Sequence, residues 1–274
     1  MRIAVTGGNG DMGSKLIPYL LDQNHTVVSI DRAFSGKHVP GVNFVIADTR
    51  DFGQLAASLG GCDALIHLAA IRSPGNHPDP VVYADNTISS YNALSAASAL
   101  GLKRVCLASS INAIGGAFSR SPRYDYFPLD EEHRTYAEDP YSLSKWVMEQ
   151  QADAFARRFE GMTIASLRLH WLLDSRTEAI QNNARLRELA IRHLWGYTQL
   201  DEASRAFLLS LTADFTGHEV FYIVAPSTVA SEPSLQLARQ YYPQTEIRAD
   251  FSDHTGFFNC AKAMRLLSWQ HREN

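Results

Sequence analysis

Cysteine is scarce in this chain: Cys62, Cys106 and Cys260 are all it holds, and they show no paired spacing. That excludes a disulfide-stapled scaffold, and the apolar contexts of two of the three suit small core residues, so a reducing compartment is expected. No apolar run approaches the roughly 20 residues that span a bilayer. Nor does a charged leader with an apolar stretch precede the first core strand, so a cytoplasmic protein with no membrane partner is expected. Lys and Arg form no cluster, and the formal net charge is −4. Nucleic acid is therefore excluded as an expected partner, because phosphate contacts need concentrated positive charge. Internal repeats, low-complexity tracts and metal-ligand spacings are also missing. What is there is a chain of 274 residues with 45% apolar content, enough to bury one large α/β core or two small ones without staples.

The chain is organised around its start, Ile3-Ala4-Val5-Thr6-Gly7-Gly8-Asn9-Gly10-Asp11-Met12-Gly13. Residues 3–5 form a short apolar, β-branched run of the kind that makes a buried parallel strand, and a helix is predicted over 14–21. Between them Gly7, Gly10 and Gly13 suit separate needs: a backbone conformation closed to other residues, close approach of the chain to a pyrophosphate, and tight packing of helix on strand. The helix N-terminus then offers free N–H groups and a positive dipole end to phosphate. A second strand, 26–30, ends in Asp31, eighteen positions after Gly13. An acidic residue there accepts hydrogen bonds from the ribose hydroxyls of an adenine dinucleotide and repels a 2′-phosphate, which predicts NAD rather than NADP. Arg32, beside it, is the residue that would accommodate such a phosphate.

Strands and helices then alternate. After a polar loop over 34–41, strands are predicted at 42–47, 64–70, 104–108, 163–169 and 219–224, and helices at 52–59, 81–100, 141–159, 177–194 and 202–211. The stretch 71–80, with three prolines, is predicted non-helical, and two short helices and a strand at 245–248 are expected in the last part. This alternation is the signature of a doubly wound parallel sheet, an α/β Rossmann fold, whose ligands lie beyond the carboxyl ends of the strands. Residues 1–168 are expected to form the dinucleotide-binding core and 169–274 a compact substrate-capping region that partly rejoins the sheet. The irregular stretch 115–139 is long for a compact domain, which points to a functional loop.

One constellation carries chemistry. Asp139 as N-cap and Pro140 at the first helical position open the helix that bears Tyr141 and Lys145, four apart and so on one face. A nearby ammonium favours the phenolate, and this predicts a tyrosine pKa drawn down towards neutrality. Ser110, at the end of the fifth strand, can donate to a substrate oxygen whose charge changes. A Tyr and a Lys at this spacing are by themselves an ordinary amphipathic pair. Combination with Ser110 and the glycine turn gives them meaning.

Together these residues resemble the extended short-chain dehydrogenase/reductases, the NAD-dependent epimerase/dehydratase group. The resemblance identifies Gly7, Asn9, Gly10, Asp11, Met12 and Gly13 as the cofactor loop, with Asp31, Arg32 and Asp48 at the ribose and adenine. It adds Leu68, Ala69 and Ala70 after the fourth strand and Asn86 on the next helix as cofactor residues, and Lys145 at the nicotinamide ribose. Ser109-Ser110 with Gly115, and Tyr141-Ser142-Leu143-Ser144-Lys145, match its catalytic segments, which implies Ser110, Tyr141 and Lys145 as catalytic residues. A homodimer through the helices 81–100 and 141–159 is implied as well, with Ala93, Ala96 and Ala97 able to permit close approach or to pack on the sheet.

Only residues 169–274 are left for the substrate, fewer than nucleotide-sugar enzymes of the group use, which points to a compact substrate. In length and in the Ser-Ser segment the nearest resemblance is to uronate dehydrogenases, although Asn112 stands where they carry histidine and Leu169-His170-Trp171-Leu172 replaces a small turn. Candidate substrate residues, besides Ser110 and Tyr141, are Asn112, Arg120, Arg123, Tyr124, His170 and Trp171. Three functions stay open at this stage: a dehydrogenase oxidising a small sugar, sugar acid or related alcohol and releasing NADH, an epimerase or dehydratase that retains NAD, and a dinucleotide-sensing protein without catalysis. Ile111 and Asn112 occupy the place of the acidic pair that dehydration uses, and the intact Ser110, Tyr141 and Lys145 favour an enzyme over a sensor.

Overall fold

The computed structural model describes residues 1–34, 36 and 39–272; part of the loop expected over 34–41 and the last two positions of the C-terminal region lie outside the described residues. In chain order the first half runs β1 (Arg2–Thr6), α1 (Asp11–Asp22), β2 (Thr26–Asp31), β3 (Val42–Ile46), α2 (Phe52–Ser58), β4 (Ala64–His67), α3 (Asp79–Ala99) and β5 (Arg104–Ser110). A 3₁₀ turn (Ile111–Ile114) and β6 (Tyr126–Phe127) precede α4 (Pro140–Arg158), β7 (Thr163–Leu169) and β8 (Leu172–Leu173). There follow α5 (Arg176–Arg185), α6 (Arg187–Arg192), β9 (Thr198–Gln199), α7 (Leu200–Thr212), β10 (Gly217–Ile223), α8 (Ser234–Tyr241), β11 (Glu246–Ile247) and α9 (Ala261–Leu267). No helix among the described residues is long and apolar enough to cross a membrane.

Seven strands form one parallel sheet in the order β10-β7-β5-β4-β1-β2-β3. Central strands such as β4 and β7 are buried along their whole length, because helices cover both faces and leave no polar side for alternation to mark. On one face α1, α7 and α9 pack Leu16, Leu20, Phe207 and Leu267 against Ile3, Val5, Leu167 and Phe221. On the other, α2, α3 and α4 pack Leu55, Ala93, Leu94, Met148 and Phe155 against Ala4, Val28, Leu65 and Leu107. Since β1 pairs with both β2 and β4, the winding reverses between β1 and β4, and a crevice opens at their carboxyl ends.

Three expectations are corrected. The stretch 115–139, expected as an irregular functional loop, is largely core: β6 pairs with β11, and Tyr124, Phe127 and Leu129 join Leu194, Trp195, Leu237 and Phe257 in a third core. The single helix expected over 177–194 breaks at Leu186, whose φ of −115° and ψ of 53° leave the helical region, and the new direction of α6 brings Ala190 and Leu194 into that core. The fourth strand stops at His67, not at residue 70, and the next helix begins at Asp79, with Pro80 in its first turn where the missing N–H is harmless. Of the two roles open to Ala93, Ala96 and Ala97, packing on the sheet is the one found, since all three are fully buried against it.

The glycine turn after β1 is held by contacts no side chain would permit. Gly7 has a φ of +70°, and a Cβ there would stand 2.8 Å from the Ala69 backbone nitrogen. At Gly13 a Cβ would meet the Gly8 carbonyl oxygen at 2.5 Å, backbone against backbone with no flexible group to give way. Gly13→Ala is therefore expected to lower the midpoint of urea unfolding by the equivalent of about 1–3 kcal/mol, the usual cost of overpacking. An unchanged midpoint would show that α1 can slide away from the turn without loss.

Candidate active site

A cleft of about 790 Å³ runs along the carboxyl ends of the strands, from Asp31 and Asp48 at one end to Trp171 and His193 at the other. The glycine turn forms its floor. Gly10 is the N-cap of α1 with no side-chain cap, so the first-turn amides of the helix keep no side-chain acceptor and face the cleft with the positive end of the dipole. Asp31 accepts from the Asn9 amide at 3.0 Å and the Arg32 amide at 2.7 Å, which fixes its carboxylate at the rim. Arg32 itself is largely exposed and reaches Asp85 at 4.0 Å. Asp48 accepts from the Arg50 side chain at 2.6 Å, and that hydrogen bond holds its carboxyl below the usual carboxylate range against the opposing effect of burial. A buried Thr6–His67 hydrogen bond of 2.8 Å joins the ends of β1 and β4, and the Ala69 amide donates to the same Thr6 hydroxyl at 3.3 Å. These residues fit NAD: an uncapped helix end for the pyrophosphate, a carboxylate for the ribose, and a turn too tight for any Cβ.

Ser110, Tyr141 and Lys145 converge at the middle of the cleft. Asp139 caps α4, accepting from the Ser142 amide at 2.9 Å, and thereby sets the helix start that aims Tyr141 and Lys145 inward. Ser110 Oγ accepts from the Asn112 amide at 3.1 Å, and Asn112 Oδ1 accepts from the Ala117 amide at 3.0 Å, so the turn after β5 is locked. Lys145 Nζ donates to the Ala108 carbonyl oxygen at 2.7 Å, which seats the ammonium on the end of β5. Burial pulls its pKa down to about 8, with the charge of Glu149 acting the other way.

The expected depression of the Tyr141 pKa is not found. Burial pushes it up to about 12, and the hydrogen bond with Ser110 opposes that only in part. The ring lies 8% exposed against Phe118, and the Lys145 ammonium, drawn to Ala108, sits 5.7 Å from the ring centroid. Desolvation of the phenolate therefore outweighs the Ser110 hydrogen bond and the Arg72 charge that favour it.

Asn9, Asp11, Met12, Leu68, Ala70, Asp31, Arg32 and Asp48 all line the cleft, as do Asn112, His170 and Trp171. Four expected residues are not among its lining. Arg120 is exposed on the outer loop, Arg123 lies 4.4 Å over the Tyr136 ring and pairs with Asp125, and Tyr124 is buried with its hydroxyl donating to the Arg192 carbonyl oxygen. They are displaced because β6 and its neighbours fold into the third core. Asn86 stands behind the cleft wall, where its side chain accepts from the Ile71 amide at 2.8 Å and donates to the Ile71 carbonyl and to Ser144. It ties the loop after β4 to the catalytic helix. Conversely, Thr49 and Asp85 at one end, and Phe118, Leu189 and His193 at the other, line the cleft without any local sequence signal to single them out. Arg72, in the loop after β4, pairs with Asp11 across the turn.

Three imidazoles around the cleft are buried and neutral. Desolvation lowers His67 to about 3, His170 to about 4 and His193 to about 3. In the unfolded chain each takes up its proton near pH 6.5, so between that value and the folded pKa the unfolded state binds more protons. The stability they confer is present above pH 6.5 and lost as the pH falls. Each should cost on the order of 1 kcal/mol per pH unit in that window. Urea midpoints measured from pH 7.5 to pH 5 should therefore drop steeply, and a flat profile would mean that the folded protein accommodates the imidazolium.

The same features link the chain to known proteins. The profile of the NAD dependent epimerase/dehydratase family matches residues 3–194. A putative UDP-glucose 4-epimerase of Methanocaldococcus jannaschii is 32% identical over 172 residues, 61% of this chain and 54% of that protein. An L-arabinose 1-dehydrogenase (NAD(P)(+)) of Haloferax volcanii is 31% identical over 181 residues, 64% of this chain and 68% of that protein. The chain thus spans about half the length of the first curated relatives it matches. In fold it is similar to a uronate dehydrogenase from Agrobacterium tumefaciens, with a TM-score of 0.73 over 100% of this chain and 85% of that one, at 21% identity. With the matched region running from the first strand through the segments that hold Ser110, Tyr141 and Lys145, the chain belongs to the NAD dependent epimerase/dehydratase family, and its cofactor is NAD.

Proposed function

We propose that the protein is an NAD-dependent dehydrogenase that oxidises a hydroxyl of a small sugar, sugar acid or related alcohol. The convergence of Ser110, Tyr141 and Lys145 beside the cofactor half of one cleft carries this reading. NAD, held by the glycine turn, Asp31 and Lys145, supplies the acceptor for the hydride that leaves the substrate carbon. The chain's own residues handle the proton. Ser110 hydrogen-bonds the substrate oxygen and orients it, and Tyr141 accepts the hydroxyl proton on its phenol oxygen. Lys145 contributes a positive charge beside both. A neutral tyrosine at rest means that oxidation must proceed through the small phenolate fraction, so turnover is expected to favour alkaline pH.

The far end of the cleft supports a compact substrate. Phe118, Leu169, Trp171, Leu172 and Leu189 narrow it with apolar surface, and His193, whose Nδ1 has no partner among the described residues, supplies a buried polar group there, while both ring nitrogens of His170 are taken up by the His193 carbonyl oxygen and the Trp171 amide. An epimerase that retains NAD is the second reading, favoured by the likeness to the putative UDP-glucose 4-epimerase. The three free cysteines agree with a reducing, cytoplasmic setting.

A homodimer is part of the proposal. Val81, Ile88 and Tyr91 leave an apolar stripe exposed on α3, which packs against α4, and a second copy of the same pair would cover it. Light scattering should give twice the 30.4 kDa chain mass, and Ile88→Glu/Tyr91→Glu should halve it. A wild-type monomer at micromolar concentration sinks the dimer.

The reaction is tested by incubating the protein with NAD and a panel of aldoses, uronates and polyols while following NADH absorbance. Net NADH supports the dehydrogenase; NAD that copurifies and is never released reduced supports the epimerase. Tyr141→Phe should bind NADH as the wild type does and lose about 10² to 10⁴ in rate. Near-normal turnover in that variant would rule out the proton transfer on which both readings depend.

A further inference from the structure

Beside the catalytic residues lies a buried carboxylate to which the mechanism gives no part. Glu149 follows Lys145 by one helical turn on α4 and is 2% exposed. Its Oε1 accepts from the Ser109 hydroxyl at 2.6 Å and from Arg168 Nε at 3.0 Å, and its Oε2 accepts from Arg168 Nη2 at 2.8 Å. Arg168, itself 5% exposed, donates from Nη1 to the Tyr222 hydroxyl at 3.3 Å. Three elements, α4, β5 and β7, thus meet on one carboxylate, and β10 joins them through Arg168.

Fold stability alone does not explain such a pair. Two charges taken from water lose most of what their attraction returns, and well-packed apolar residues of similar volume serve a core as well or better. The position of this pair is what distinguishes it. Ser109 immediately precedes Ser110, and the Ala108 carbonyl that holds Lys145 immediately precedes Ser109. Groups facing the Lys145 ammonium are Tyr141 and Glu149 from its own helix, His67 from β4, and Arg168 from β7, which Glu149 already engages. Arg72, from the loop after β4, bears on Tyr141. His67 is neutral and Tyr141 is protonated, so Glu149 supplies the anionic charge among them.

Resting on the Ser110, Tyr141 and Lys145 reading above, we propose that Glu149 is a positioning residue for the reaction: its charge keeps the buried Lys145 ammonium charged, and its bond to Ser109 anchors the strand end that carries Ser110. Arg168 is the counter-charge, held on the carboxylate by two hydrogen bonds of 3.0 and 2.8 Å. Glu149 touches neither substrate nor cofactor in this arrangement and acts through its neighbours.

The chain has only five lysines, Lys15, Lys37, Lys103, Lys145 and Lys262, so titration of ¹³Cε-labelled lysine by NMR resolves them, with Lys145 assigned from Lys145→Arg. In the wild type Lys145 should titrate near pH 8. In Glu149→Gln, whose amide can still meet Ser109 and Arg168, the midpoint should fall by about one pH unit or more, as expected for loss of a nearby opposite charge, whereas Glu149→Asp, which keeps the charge, should hold it near the wild-type value. An unchanged midpoint in Glu149→Gln, or a fall as large in Glu149→Asp, overturns the charge role. Ser109→Ala keeps the carboxylate and should keep the Lys145 midpoint, while hydrogen exchange of the Ser109 and Ser110 amides quickens by about tenfold, as expected of a locally loosened segment. Exchange at the wild-type rate overturns the anchoring role. Both readouts work without a substrate, so a failed sugar panel or an active Tyr141→Phe would discredit the reaction and leave these outcomes separately readable.

Discussion

The turn between β1 and α1 allows no room for a single methyl group, and much of the molecule is arranged by that constraint. Gly13 backs onto the Gly8 carbonyl and Gly7 onto the Ala69 amide, so α1, β1 and the end of β4 approach as closely as backbones can. The Thr6–His67 bond closes the same junction from within. Because β1 lies between β2 and β4, this junction is also where the sheet changes its winding direction, and the crevice for the dinucleotide opens there. The cofactor site is thus a consequence of chain topology, and the glycines make it passable.

Burial governs the electrostatics of the site more than charge pairing does. Tyr141 is held protonated, Lys145 is eased towards neutrality, and three imidazoles stay uncharged, each for want of water around the charged form. Against that background the ionised groups that persist inside are those with a dedicated partner. Glu149 and Arg168 are the clearest pair, and their place between the catalytic helix and the strand that ends in Ser110 couples the charge state of the site to the packing of the core. A polar network in such a position is fully satisfied or a liability.

Much of the active centre was legible because its chemistry is local. A strand, a glycine turn and a helix are contiguous in sequence; Asp139, Pro140, Tyr141 and Lys145 lie within one helix start, where capping rules and a four-residue spacing fix which side chains share a face. The substrate end was read less well. Arg120, Arg123 and Tyr124 looked available in an irregular, polar stretch, yet β6 pairs with β11 over a hundred residues away, and this long-range pairing turns the stretch into core. Phe118, and Leu189 with His193, reach the cleft from two segments about seventy residues apart, and nothing in their neighbours in sequence marks them.

The sequence by itself determined the fold class, the glycine turn and the candidates Ser110, Tyr141 and Lys145 that the cleft brings together, because alternating apolar runs, glycine sterics and helical periodicity act over a few residues. Only the tertiary structure decided the state of those groups and the shape of the substrate end. The Tyr141 pKa moved opposite to the direction its neighbour Lys145 predicts, since how much water a phenol loses depends on what packs over it, here Phe118. Asn86 likewise became a brace between the loop after β4 and the catalytic helix, a role set by residues 15 and 58 positions away in the chain. Desolvation and long-range contact are properties of the whole packed chain, and no short stretch of sequence carries them.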